Sequence, residues 1–259
     1  MLSYPPPSGI AARRTQLLFV HGAYVGAWCW EEHFLPWFAQ QGWIAHAFSF
    51  SGHGRSRGRV DLDNLSIDQY VNDLTEVIER LPAPPVLIGH SMGGMVVQKY
   101  LERAAAPAVV LMASVPPQGL IGSALGMLFT SPQLLIDLNR IMGGGEPSVG
   151  SLREALFYQP VAADKIERYW NQSQPESHRA LWDMTLYNLP HPSRIHKPPM
   201  LVLGGQYDRL ISPHQVQMTA NAYGCTPEIF PNMGHGMMLE QQWEKVAIRI
   251  ADWLSTQGL

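Results

Sequence analysis

Pro85-Val86-Leu87-Ile88-Gly89-His90-Ser91-Met92-Gly93-Gly94 decides the fold of this chain. Pro85–Ile88 is a short apolar run, the pattern of a strand covered on both faces. Beyond it Val96, Val97, Tyr100 and Leu101 recur at helical spacing. A serine on so tight a strand-to-helix turn is lifted clear of the sheet, above the N-terminus of the helix. Glycines flank it because side chains there would collide with neighbouring backbone. Ser91 therefore reads as a nucleophile, with Gly89, His90 and Gly93 forming its turn.

The bare pattern Gly-x-Ser-x-Gly is weak: the composition alone predicts about 0.13 matches in a chain of this length. A second match, Gly54-Arg55-Ser56-Arg57-Gly58, provides a control. Its neighbours are charged and Arg59–Asn64 has no helical period, so it reads as an exposed loop.

Working outward, Leu17–Val20 is an apolar strand ending at His21-Gly22, and a helix follows with Trp30, Phe34, Trp37 and Phe38 on one face and Gly42 as its stop. Ile44–Phe50 is the next strand candidate. Ser66-Ile67-Asp68-Gln69 has the form of a capping box for a helix whose Tyr70, Leu74, Val77, Ile78 and Leu81 face inward. Val109–Met112, Met200–Gly204 and Thr226–Phe230 complete the strands, and a last helix carries Trp243, Val246, Ala247, Ile250 and Leu254. Strand alternating with helix predicts an α/β fold, a mostly parallel sheet with helices on both faces. Three prolines within the first sixteen residues leave room for little or no leading hairpin.

Residues 117–195 break this rhythm. They show four amphipathic helical stretches, beginning at Ser131-Pro132, at Ser151, near Ala163–Asn171 and at Gln174-Pro175. The expected organisation is a core of residues 1–116 and 196–259 with a helical cap of 117–195. Gly143-Gly144-Gly145 reads as a joint within the cap.

The bulk properties narrow the class. With 259 residues, 46% of them hydrophobic and 15% charged, the chain can bury a sizeable core. A formal charge of −3 offers no basic field for nucleic acid or anionic lipid. No segment has the roughly 20 apolar residues of a membrane span, and no signal-peptide core precedes residue 17, so the expected location is cytoplasmic. Cys29 and Cys225 read as free thiols. Histidines in metal-ligand spacing and a Gly-x-Gly-x-x-Gly fingerprint are both missing, which argues against a metal or dinucleotide cofactor.

A serine hydroxyl needs a base, and the base works best as a neutral imidazole oriented by a carboxylate. Asp208 follows the strand Leu201–Gly204 in a turn before Ser212-Pro213, and His235 lies between the last strand and the last helix. Ser91, Asp208, His235 is the chain order expected of such a sheet. His33, His53 and His214 read as solvated, His90 as packed under the turn, and Asp73 as a surface-helix residue. Two backbone N–H groups should meet the developing oxyanion: Met92, just after the nucleophile, and Ala23, on the loop after the first strand.

His21-Gly22-Ala23, Gly52-His53-Gly54-Arg55-Ser56, Gly89–Gly94, Gly205-Gln206-Tyr207-Asp208 and Gly234-His235 together resemble the α/β-hydrolase superfamily, from about residue 17 onward. The stretch 21–30 looks like plant methylesterases and hydroxynitrile lyases, and 52–56 more like bacterial esterases. The resemblance implies a cofactor-free, esterase-like serine hydrolase with a cap over its site. Hydroxynitrile lyases carry lysine where Gly236 stands, and epoxide hydrolases and haloalkane dehalogenases carry aspartate where Ser91 stands, so neither activity is expected.

The expected reaction is hydrolysis of a small or medium, largely apolar carboxylic ester. Tyr24, Phe129, Met142, Phe157, Trp182, Met184 and Met237 are candidates for lining its pocket, although helical apolar stripes are more often core. Carbon–carbon hydrolases, thioesterases and acyltransferases use the same triad, and a ligand sensor could keep the fold. The sequence leaves these open.

Overall fold

The strand Leu17–Val20 (β2) is wholly buried because both of its faces are covered. Leu17 and Phe19 pack with Trp30, Phe34, Phe38, Val246 and Ile250 on one side of the sheet. Leu18 and Val20 pack with Tyr70, Leu74, Val96 and Val97 on the other. Period-two alternation in one apolar run thus feeds two separate cores, which is why the run shows no polar face. The computed structural model describes residues 1–121 and 149–259.

Six further strands complete the sheet: Leu2–Tyr4 (β1), Ala45–Phe48 (β3), Val86–His90 (β4), Val109–Met112 (β5), Met200–Gly205 (β6) and Pro227–Phe230 (β7). Their spatial order is β1-β3-β2-β4-β5-β6-β7. All neighbours are parallel except β1, which runs antiparallel to β3. The chain order reverses between β2 and β4, the kind of switch point where the loops leaving two adjacent parallel strands part and form a crevice. Helices Trp28–Glu31 (α1), Phe34–Gln40 (α2), Ile67–Glu79 (α3) and Met92–Tyr100 (α4) belong to the first half. Between β5 and β6, Val149–Leu156 (α5), Ala163–Gln172 (α6) and His178–Trp182 (α7) are described, the last running into a π-helical turn, Asp183–Tyr187. Pro213–Tyr223 (α8) and Trp243–Thr256 (α9) close the sheet domain.

Several local expectations need correcting. The single helix expected after His21-Gly22 is two, α1 and α2, broken at Glu32-His33. Pro36 explains the break, because its ring would collide with the Glu32 carbonyl in a continuous helix. The expectation of little or no leading hairpin holds: the N-terminus contributes one three-residue strand, β1, which pairs with β3 ahead of the prolines instead of folding back on β2. The box at Ser66 is only half made: Ser66 caps the Gln69 N–H at 3.2 Å, while the Gln69 side chain turns to Asp73. The last insertion helix starts not at Gln174-Pro175 but at His178, capped by Ser177. Residues 174–176 stay outside the helix, with the Gln174 and Glu176 polar groups bonded elsewhere, as described below. The start expected at Ser131-Pro132 and the Gly143–Gly145 joint lie outside the described residues. Among those described, no helix is long and apolar enough to cross a membrane.

Candidate active site

Ser91 directly follows β4 with φ 54° and ψ −121°, a conformation costly for any residue with a Cβ. The turn is fixed from both sides: Ser91 N–H donates to the Met112 carbonyl at 3.1 Å, and the Ser91 carbonyl accepts from Val115 at 3.2 Å. Its side chain does not cap α4. A Cβ on Gly89 would lie 2.7 Å from Gly94 Cα, and one on Gly93 would strike the Val20 and His21 carbonyls. Glycine at both positions is a packing requirement of the tight turn. Met92 is the first residue of α4, so its N–H has no acceptor within the helix.

The β2 loop lies directly against this turn. A Cβ on Gly22 would sit 3.0 Å from Ser91 Cβ. His21 Nε2 accepts from Phe50 N–H at 3.1 Å, which leaves the proton on Nδ1 to donate to the Gly22 carbonyl at 2.8 Å. That bond fixes the plane of the peptide whose other end is the Ala23 N–H. Burial pushes the His21 pKa down to about 3, with nearby His53 adding to it, so the ring is neutral and its tautomer set.

Asp208 and His235 meet. Asp208 Oδ2 accepts from His235 Nδ1 at 2.8 Å, and Asp208 Oδ1 accepts the Leu210 and Ile211 N–H groups at 2.8 Å each. The carboxylate is therefore held from both ends, and the imidazole must carry its proton on Nδ1, leaving Nε2 as the basic nitrogen. Gly205 allows the approach: a Cβ there would lie 2.6 Å from the Met233 carbonyl, and Tyr207 N–H donates to that same oxygen at 2.9 Å.

His90 joins these two residues to the serine turn. Its Nε2 donates to the His235 carbonyl at 2.9 Å, and the two rings lie 4.7 Å apart between centroids. Burial, reinforced by His235, keeps the His90 pKa well below the usual histidine range, so it works as a neutral donor. The loop of His235 is also tied to the insertion. Gly236 N–H donates to the Leu156 carbonyl at 2.7 Å. Glu240, buried, accepts from Gly234, Tyr158 and Gln159 N–H groups. Burial raises its pKa, and those three donors oppose the rise.

Tyr24, Ser91, Ala113 and Asn232 are the described non-glycine residues with positive φ. Each lies just beyond the C-terminal end of a parallel strand. Strain of this kind gathers where surrounding structure forces a backbone into a working geometry.

Of the pocket candidates, Phe157 and Met237 are buried in one core cluster, and Tyr24 and Met184 pack in the other. Trp182 is half exposed, with its ring 6.1 Å from Tyr187. Phe129 and Met142 lie outside the described residues. His53 corrects the sequence reading: it is fully buried and bonded to Glu176, not solvated. Asp73, half-buried, accepts from Ser51 N–H and Oγ–H. Glu176, Glu240 and His21 each have one decisive partner distant in the chain, His53, Tyr158 and Phe50 respectively, which no local pattern signals.

A family model described as alpha/beta hydrolase family matches residues 17–249. The chain belongs to that family. The chain is 32% identical over 110 residues to methylesterase 1 of Arabidopsis thaliana, covering 40% of this chain and 41% of that protein. It is 24% identical over 241 residues to a monoacylglycerol lipase of Mycolicibacterium smegmatis, covering 86% and 82%. The alignments with plant methylesterases span between 22% and 41% of those proteins' lengths. Among solved structures, a monoacylglycerol lipase from Paleococcus ferrophilus superposes with a TM-score of 0.71 at 20% identity, covering 99% of this chain and 98% of that one. The structural likeness extends over the whole fold.

Proposed function

We propose that this hydrolase cleaves carboxylic esters through Ser91, His235 and Asp208. One observation carries the reading: the Asp208–His235 hydrogen bond of 2.8 Å leaves the basic Nε2 on an imidazole whose backbone is held by the residue next to Ser91. The alignments with a methylesterase and a monoacylglycerol lipase support an ester substrate.

In this mechanism His235 Nε2 takes the Ser91 hydroxyl proton as Oγ attacks the ester carbonyl. Asp208 holds the ring and stabilises its positive charge. The tetrahedral oxyanion is met by the Ala23 and Met92 N–H groups. Collapse expels the alcohol, which receives the proton from His235 and leaves an acyl-serine. A water molecule gives a proton to the same nitrogen, attacks the acyl carbon, and the acid departs as the proton returns to Ser91. We assign residues 1–116 and 196–259 to the core and 117–195 to a cap over this edge of the sheet. Small or medium apolar esters are the proposed substrates.

The test is turnover of p-nitrophenyl esters of rising chain length by the wild type and by Ser91→Ala, with fluorophosphonate labelling of each. Expected are turnover and labelling in the wild type, and loss of both in a variant that still folds. Equal activity in the variant, or ligand binding without turnover in the wild type, overturns the proposal.

A further inference from the structure

A second set of buried polar groups joins the insertion to the loop that carries Ala23. The Glu176 side chain is fully buried and has four donors. Its Oε2 accepts from His53 Nε2 at 2.9 Å and from Tyr24 N–H at 3.3 Å. Its Oε1 accepts from Tyr70 Oη–H and Ser177 N–H, both at 2.8 Å. His53 Nδ1 faces the Ser51 carbonyl at 3.0 Å, so both ring nitrogens point at oxygens that accept, which fits an imidazolium against a carboxylate. Burial alone would lower the His53 pKa; the charge and hydrogen bond of Glu176 outweigh it and raise the pKa. Two residues earlier, Gln174 N–H donates to the Tyr24 carbonyl at 2.9 Å. The Gln174 side chain reaches Gly52, Gly54 and Arg59.

These bonds converge on one strained residue. Tyr24 has φ 65°, and residues 174 and 176 hold both its N–H and its carbonyl. The preceding residue is Ala23. The Ala23 N–H lies on the Gly22–Ala23 peptide, which His21 holds at its carbonyl end; relaxation of Tyr24 out of the left-handed region would move the Ala23–Tyr24 peptide and the Ala23 Cα that the two peptides share, and so tilt the Ala23 N–H. We infer that Glu176 is a positioning residue for the proposed ester hydrolysis: it holds Tyr24 left-handed and so aims the Ala23 N–H at the oxyanion. This rests on the reading given above. It makes the insertion a working part of the oxyanion hole as well as a cover.

Glu176→Gln is the test variant, assayed with a p-nitrophenyl ester and with a trifluoromethyl ketone that forms a tetrahedral oxyanion on serine. The amide keeps the shape, but either orientation sets an NH2 against a donor, Tyr24 N–H or Ser177 N–H. Expected is a fall in kcat of at least about tenfold, bounded by the roughly 10²–10³-fold seen when an oxyanion donor is removed outright. KM should change little, and affinity for the ketone should drop by the same factor as kcat/KM. Adding Tyr24→Gly to Glu176→Gln should recover part of the lost kcat, because glycine adopts positive φ without steric cost.

Unchanged kcat in Glu176→Gln, a loss confined to KM, or no recovery on adding Tyr24→Gly overturns the inference while leaving ester hydrolysis intact. A wild type that fails to turn over any ester, or that depends in no way on Ser91, overturns both. If Glu176→Gln does not fold, Glu176→Asp keeps the charge on a shorter arm and carries the same comparison.

Discussion

Asp208→Asn separates the orientation of His235 from every other feature of the site. In the native carboxylate Oδ1 is pinned by the Leu210 and Ile211 N–H groups, and only Oδ2 faces His235. An asparagine must place its carbonyl oxygen where those two donors are, since its NH2 there would meet them head-on. The NH2 is then aimed at His235 Nδ1. The imidazole can accept that hydrogen bond only by moving its own proton to Nε2, where it blocks the lone pair that should take the Ser91 proton. The equivalent change in a Ser-His-Asp protease lowers kcat about 10⁴-fold, a barrier increase of about 5.5 kcal/mol. Stability should change little, because both backbone donors keep their acceptor. The assay is steady-state hydrolysis of p-nitrophenyl butyrate across pH, beside a thermal melt. Asp208→Ala is the contrast: it strands two backbone N–H groups and should cost about 1–3 kcal/mol of stability as well as activity. An asparagine variant within tenfold of wild-type kcat would refute the tautomer argument, and with it the assigned role of the Asp208–His235 bond.

Three further outcomes follow from the buried polar groups and the tight turn. His21 and His90 are buried neutral with pKa values below the ordinary 6.5, His21 near 3. The unfolded chain therefore takes up their protons first, and stability present above about pH 6.5 should fall by up to about 1.4 kcal/mol per pH unit for each as acid is added. Urea midpoints that stay flat from pH 7 to pH 4.5 would contradict this. Glu240→Gln sets an NH2 against one of three backbone donors, from Gly234, Tyr158 or Gln159, and should cost about 1–3 kcal/mol in urea unfolding, with kcat lowered through the His235 loop. A stability equal to wild type would show that those donors find other acceptors. Gly93→Ala should abolish soluble folded protein, because its Cβ meets the Val20 and His21 backbone; a folded, active variant would show that the turn can yield.

Ser91 was legible because its setting is local. A strand of buried residues, two close-packed glycines and a helical stripe all fall within 85–101, and hydrophobic period reports such neighbours directly. Asp208 and His235 were legible from chain order, because each follows a strand of a sheet whose C-terminal ends share one edge. The break at Glu32-His33 had a signal in Pro36, which outweighs the apolar stripe running across it. His53 had none. Its flanking glycines and arginine read as a solvated loop, and its partner Glu176 is 123 residues away on the insertion.

The amino-acid order by itself determined the layered α/β sheet, the strained serine turn and the residue types available at each strand end, since strand period, helical period and turn chemistry are set by near neighbours. Only the tertiary structure decided which buried polar groups find partners. It put Glu176 between His53 and Tyr24, Glu240 beneath the His235 loop, and His90 on the His235 carbonyl. The reason is physical: a polar side chain leaving water is stable only with its hydrogen bonds made, and the groups that make them are brought together by the sheet, not by the sequence between them.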